Sequence, residues 1–142
     1  MRITDVLRRK GDLVVTIAPE DTVRTLLDAL SQYKVGALIV SSGGGVLDGI
    51  VSERDVVRHL QAHGAEILDR PVSTIMTVDL HTATPQDSID DLMLLMTEKR
   101  IRHVPVVVEE SLVGIVSIGD VVKHRIEELQ SERDQLTAYI TS

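Results

Sequence analysis

The stretch GIVSERDVVRH, residues 49–59, is written a second time as GIVSIGDVVKH at residues 114–124, with eight of the eleven positions identical. The agreement continues upstream. VTIAPEDTVRTLLDALSQYKVGALIV, residues 15–40, aligns with HTATPQDSIDDLMLLMTEKRIRHVPV, residues 81–106, at an offset of 66 that pairs Pro19 with Pro85. The offset falls to 65 at the final phrase, because the first copy has one more residue around Gly43-Gly44-Gly45. A period this long exceeds that of the common solenoids, so the chain reads as a pseudo-symmetric pair of one supersecondary unit.

Each copy follows one plan. A short β-like stretch (14–17, 80–83) meets a proline that ends it. Asp21 or Asp87 is expected to cap the helix that follows. Val23, Leu26, Leu27 and Leu30 in the first copy, and Ile89, Leu92, Met93 and Met96 in the second, fall at i, i+3, i+4 and i+7. That is the apolar stripe of an amphipathic helix. A continuous apolar run (37–40, 104–108) then reads as a buried strand. A turn (42–45, 109–111), a second strand (46–51, 112–116) and a last helix complete the unit. The predicted fold is therefore α/β (α+β): two β-α-β-β-α units packed through their sheets around one shared core, plus an extended C-terminal helix.

The segments 3–10 and 72–77, in which Thr4 matches Ser73, are expected to be short helices leading each copy in. The last helix is expected over 118–139, with Val122, Ile126, Leu129, Leu136 and Ile140 on a heptad-like seam that reads either as a stripe packed on its own domain or, the reading preferred, as a seam for a helix of a second copy. The organisation expected is a first repeat over 1–63, a connector over 64–71, a second repeat over 72–126 and a helical extension over 127–142.

Composition narrows the function. The 142 residues are 43% hydrophobic, enough for a folded domain that needs no covalent staple. With no cysteine, disulfides and thiolate metal sites are excluded. Fifteen basic against 22 acidic residues, a net charge of −7, argue against a nucleic-acid partner, which would need a basic face. The amino-terminal sequence lacks the apolar core of a signal peptide, and the longest apolar runs are too short to span a bilayer. A cytoplasmic protein with no membrane partner is expected. Tyr33 and Tyr139 are the only aromatic residues, so a bound purine would rest on aliphatic side chains and backbone.

The repeated phrase has two readings. In the first, Ser52 and Ser117 are helix N-caps and Asp55 and Asp120 sit at N3, where carboxylates complete a capping box and suit the helix dipole. No ligand is needed. In the second, an aspartate at a strand-to-helix junction accepts two hydrogen bonds from the vicinal hydroxyls of a ribose, beside free N–H groups that attract anions. The basic cluster Arg100, Arg102 and His103, where the second copy enters its buried strand, adds donors for a phosphate.

Other chemistries are set aside. Gly43-Gly44-Gly45 lacks the Gly-Lys-Ser/Thr ending of a phosphate loop and falls between strands. His59 and His63 are four apart on a helix but have no third ligand in view, so no metal is expected. No nucleophile stands beside a locked base, so no catalytic residue is assigned and the protein is not expected to be an enzyme.

TIAPEDTV and TATPQDSI, KVGALIV and RIRHVPVV, and GIVSERD and GIVSIGD together resemble a tandem pair of CBS domains (named after cystathionine β-synthase), a Bateman module. The resemblance covers essentially the whole chain, and is greatest to small stand-alone bacterial pairs. It implies two clefts between the repeats that bind an adenine nucleotide (AMP, ADP or ATP) or a related adenosyl ligand such as NAD or S-adenosylmethionine, with no cofactor required. It also implies a regulatory role, a flat homodimer formed through helices, and an unidentified regulated protein as a further partner.

Carried onto this sequence, the first cleft sets Ser52, Arg54 and Asp55 opposite Ser73, Val78, Arg102, His103 and Pro105. The second sets Ser117 and Asp120 opposite Thr4, Lys10, Thr16, Val35, Gly36 and Ala37. The second has Gly36, Ala37 and Ile39 where the first has Arg102, His103 and Pro105, so tighter nucleotide binding is expected beside Asp55. The alternative is an interaction protein in which Ser and Asp only cap, and the C-terminal helix recruits a partner. A nucleotide-converting enzyme is a third reading, separable by incubation with ligand.

Overall fold

The computed structural model describes residues 1–11 and 14–141. The elements are α1 (Ile3–Lys10), β1 (Thr16–Ile17), α2 (Val23–Tyr33), β2 (Ala37–Val40), β3 (Gly49–Ser52) and α3 (Glu53–His63), then α4 (Ile89–Lys99), β4 (His103–Val108), β5 (Ser111–Ser117) and α5 (Ile118–Thr141). Two 3₁₀ turns, Ala65–Asp69 and Val72–Thr74, join α3 to the second half. β1 runs parallel to β2, which is antiparallel to β3; β4 and β5 form the second antiparallel pair.

The helix starts are capped one residue later than expected. Thr22 accepts the N–H of Thr25 and Ser88 that of Asp91, at 3.2 and 3.0 Å. Asp21 and Asp87 turn back instead, accepting the N–H groups of Ala18 and Thr84 at 3.1 and 2.9 Å. Each aspartate thus closes the proline turn, and the neighbouring hydroxyl is left to cap. α2 and α4 both end on a basic residue in the left-handed conformation, Lys34 (φ 55°) and Arg100 (φ 54°).

The strands expected to open each copy are short. β1 has two residues, and in the second half only Ala83 bridges to Val106. Ala83 N–H bonds Pro105 O at 3.0 Å, and Val107 N–H returns to Ala83 O at 2.9 Å. The chain just before it is engaged elsewhere: Ile50 and Thr77 exchange backbone bonds of 3.0 and 2.9 Å, which ties the second lead-in to β3. β3 starts at Gly49 rather than 46, after Gly43, Gly44 and Gly45, all with positive φ.

The expectation of one shared core is overturned. There are two cores, and the lead-in segments are exchanged between them. Ile17, Val23, Leu26, Leu38, Val40, Val51 and Val56 of the first copy bury together with Ile67, Val72 and Ile75. Val104, Val106, Val116, Val121 and the buried face of α4 enclose Ile3 and Val6 of α1. Complete burial of such aliphatic side chains stabilises by about 1.5–3 kcal/mol each.

Backbone bonds repeat the exchange on both sides. Ser73 N–H meets Pro19 O and Thr4 N–H meets Pro85 O, each at 3.0 Å; Val72 N–H meets Asp21 O at 2.7 Å and Ile3 N–H meets Asp87 O at 2.9 Å. Two cores form because strand residues alternate between faces. Leu38 and Val40 point at their helix, as do Val104 and Val106, so each sheet buries that face separately. Ile39, fully buried, belongs to neither core and lies on the opposite face with Ala37. On that side a Cβ at Gly36 would lie 3.8 Å from the His103 ring, and Leu112 N–H bonds Gly45 O at 3.0 Å, so the two halves touch.

α5 is longer than its counterpart α3, as the sequence predicts. Only Val121 and His124 on it are buried, and residues 129–141 are exposed throughout.

Candidate functional site

Both copies of the repeated phrase form the same junction. Ser52 ends β3 and Ser117 ends β5, and α3 and α5 begin at the next residue. Asp55 accepts the N–H of Ser52 at 2.8 Å and its hydroxyl at 3.1 Å, while its own N–H donates to Ser52 Oγ at 3.3 Å. Asp120 accepts the Ser117 N–H at 2.9 Å, and its N–H donates to Ser117 Oγ at 3.1 Å. In each carboxylate these bonds fall on Oδ2, and no protein hydrogen bond to Oδ1 is present among the described residues. The capping reading is therefore correct as far as it goes, and it leaves acceptor capacity unused on both aspartates.

The two junctions differ in charge. Lys10 Nζ donates to Asp120 Oδ2 at 2.7 Å and to the carbonyl of Ile115 at 2.7 Å. Partial burial alone would raise the Asp120 carboxyl, but the Lys10 ammonium and the Ser117 donors outweigh it and hold the group below its ordinary value. No ion pair involves Asp55 among the described residues.

The exchange of lead-in segments governs which candidates stand together. Thr4 and Lys10 ride on α1, which packs against β5 and α5, so both lie on the Asp120 side. Ser73 is held by Pro19 O, and its segment runs on to pair Thr77 with β3, on the Asp55 side. Ala37 pairs directly with Ser52, and His103 with Ser117. Pro105 is buried opposite Ile115. His103 sits between the halves. Burial first, then Lys10 and Arg102, push its imidazole below its ordinary value, opposed by Asp120 and Glu53. Thr16 pairs with Ile39 and is exposed, as are Val35 and Val78; no hydrogen bond joins these three to either aspartate.

Two concavities adjoin the junctions. One, of about 390 Å³, is a groove where Arg54 of the first half meets Arg100 and Arg102 of the second, with Thr97 and Ile118. The other, of about 120 Å³, lies between α1 and α5 and is bordered by Arg9, Lys10, Asp120, Lys123, His124 and Glu127. Arg9 pairs with Glu127 across it. His124 is buried with neither ring nitrogen hydrogen-bonded. Sequence reasoning missed Arg9, Lys123, Glu127 and Glu53. The signal for His124 was present, since the phrase ends in histidine in both copies; its counterpart His59 instead stacks on His63 at 5.9 Å.

The family model described as the CBS domain matches residues 4–62 and 72–127, once for each half. The chain belongs to the CBS domain family. Among curated relatives of this CBS pair is the CBS domain-containing protein CBSX3, mitochondrial, of Arabidopsis thaliana, 38% identical over 97% of this chain and 71% of its own length. Among solved structures, the CBS-domain containing protein ATU1752 from Agrobacterium tumefaciens has a TM-score of 0.84 and 41% identity, covering 88% of this chain and 99% of that one. The CBS domain pair of protein MJ0100, whose structure is a complex with 5′-methylthioadenosine and S-adenosyl-L-methionine, reaches a TM-score of 0.79 over 90% of this chain and 98% of that one. At 22% identity that likeness establishes the fold alone.

Proposed function

We propose that this CBS pair is a regulatory module rather than an enzyme, and that it holds an adenosyl ligand by its ribose hydroxyls on Asp55 and on Asp120. The observation that carries the reading is the unused acceptor capacity of the two aspartates, each locked in place by a capping box at a helix start. A carboxylate already fixed by its serine loses little freedom on accepting a diol, so binding is not offset by ordering. The MJ0100 pair supports the ligand class, since methylthioadenosine and S-adenosylmethionine share an adenosyl group. The groove lined by Arg54, Arg100 and Arg102 suits the phosphates of AMP, ADP, ATP or NAD; Arg54 stands next to Asp55 in the chain, which supports the Asp55 side as the stronger nucleotide site. The remaining candidates Ser73, Val78, His103 and Pro105 would flank that ligand, and Thr4, Thr16, Val35, Gly36 and Ala37 the one on Asp120.

The protein is further proposed to act in the cytoplasm as a homodimer that transmits ligand state to a regulated protein. Among the described residues no helix is long and apolar enough to cross a membrane. Val57 on α3, Leu94 on α4 and the α5 seam of Val122, Ile126 and Leu129 leave large apolar side chains uncovered, a surface suited to a second copy. That seam also favours the second reading, in which α5 recruits a partner and the aspartates only cap.

A thermal-shift panel of AMP, ADP, ATP, NAD and S-adenosylmethionine on nucleotide-free protein separates the readings. A ligand at about 100 times its Kd adds about 2.7 kcal/mol, a rise of roughly 5–10 °C for a chain of this size. A rise lost in Asp55→Ala or Asp120→Ala is the expected result. No rise with any ligand would leave capping as the role of both aspartates.

A further inference from the structure

The two junctions are copies in sequence and unlike in occupancy, and the difference is one side chain. Lys10, the last residue of α1, crosses to the second repeat and places its ammonium on Asp120 Oδ2 and on Ile115 O, both at 2.7 Å. On Oδ2 the ammonium makes one of the two bonds that a ribose diol would make to the carboxylate, and its other bond goes to a backbone carbonyl. It presents donors only, as a diol does when it binds a carboxylate. Asp55 has no such partner: its second bond comes from Ser52, which belongs to the same capping box.

The end of α1 has one other ion pair among the described residues, Arg9 with Glu127 of α5, and both of its partners are more exposed than Lys10 and Asp120. Ile3 and Val6 are buried in the second core and anchor the helix at its other end. Lys10 itself is exposed, and Gly11 after it has φ 87° with open space around it. Lys10 can therefore turn aside from Asp120 while Leu7, one turn back, stays packed on the second core. Burial of the pair is partial, with side-chain exposures of 32% for Lys10 and 24% for Asp120, so the contact is exchangeable rather than structural.

We propose that Lys10 is an internal competitor for the Asp120 clamp: the ammonium and a diol-bearing ligand take the same carboxylate in turn, and ligand binding there releases the end of α1 at Lys10. This rests on the ribose-clamp reading above. It makes the repeats unequal by construction. The Asp55 clamp is open, whereas the Asp120 clamp binds only with the fraction of molecules in which Lys10 has let go, and its apparent affinity is reduced by that fraction. Occupancy of the second clamp then has an output the first lacks, the release of the end of α1 at Lys10 from Asp120.

The test uses adenosine, which is neutral, so that loss of the lysine charge is not confused with loss of attraction for a phosphate. In an Asp55→Ala background, which removes the open clamp, adenosine is titrated calorimetrically into protein with Lys10 and with Lys10→Met. The expected result is binding about 1.5- to fivefold tighter with Lys10→Met, the range set by a partly exposed ion pair. Both affinities should vanish with Asp120→Ala and weaken with 2′-deoxyadenosine. Equal or weaker binding in Lys10→Met, still dependent on Asp120, would overturn the competition and leave the clamp standing. Absence of Asp120-dependent binding in both proteins at millimolar adenosine would sink the clamp itself, and the competition with it. Amide exchange at Arg8–Lys10, faster with adenosine bound in the Lys10 protein, is the second expected readout; unchanged exchange at saturation would also overturn the proposal.

Discussion

Leu7 lies over Gly114 so closely that a Cβ on the glycine would stand 2.8 Å from a leucine methyl. The other half repeats the relationship, with Gly49 under the Thr77 carbonyl at 2.8 Å and Met76 Sδ at 3.0 Å. The first residue of the repeated phrase is glycine in both copies because the exchanged lead-in segment crosses there.

Alanine at either glycine is expected to destabilise the protein, by about 1–3 kcal/mol. Gly49→Ala should cost more than Gly114→Ala. Its Cβ meets a backbone carbonyl that is paired with Ile50, whereas at Gly114 it meets the far end of a leucine that can turn aside. Urea denaturation of the two variants checks the order. Equal midpoints for both variants and the parent would mean that neither crossing requires glycine.

Ile3→Ala should cost about 2–5 kcal/mol, although it lies near the start of the chain, because Ile3 is fully buried in the second core. Hydrogen exchange should rise in β4, β5 and α4 and much less in β2 and β3. Equal loss of protection in both halves would mean that the two cores unfold as one unit.

His103 gives the stability a definite pH dependence. Its imidazole titrates lower in the folded chain than the ordinary 6.5, chiefly through burial. The unfolded chain therefore binds this proton more readily, and stability rises with pH wherever that holds. The contribution is complete above the unfolded value and is lost as pH falls through it towards the folded one. His103→Gln should flatten the melting temperature against pH below about 6.5 relative to the parent. An unchanged slope would assign the pH dependence to other groups.

Leu129 and Leu136 are half or more exposed, on a stretch of α5, residues 129–141, that is exposed throughout. Leu129→Glu with Leu136→Glu should leave the melting of the two cores intact and reduce a dimer to monomers, measured by sedimentation at several concentrations. A dimer that persists would place the self-association on α3 and α4 instead.

Much of this molecule is legible in its sequence. The repeat, the helices at Val23–Tyr33 and Ile89–Lys99, the buried strand Ala37–Val40 and the long last helix follow from apolar spacing, a local property of the chain. So does the capping box, because Ser and Asp three residues apart at a strand end satisfy the first turn of a helix wherever it occurs. The proline turns were half legible. Asp21 and Asp87 were expected as caps, but an aspartate two residues after a proline bonds back into its own turn more readily, and the adjacent hydroxyl takes the cap.

What spacing along the chain determined was each unit and its two aspartates. Which segment would complete each core was decided in three dimensions, since Ile3 and Val72 are equally apolar and either sheet offers an open edge beside a glycine. Apolar spacing does not send α1 across to the second half; the family resemblance set Thr4 and Lys10 opposite Asp120, and the tertiary structure supplies the contact itself, between residues 110 apart in the chain. An ion pair of that separation has no local signature. It exists because the folded chain, not its sequence neighbourhood, brings an ammonium to a carboxylate that one repeat shields and the other leaves open.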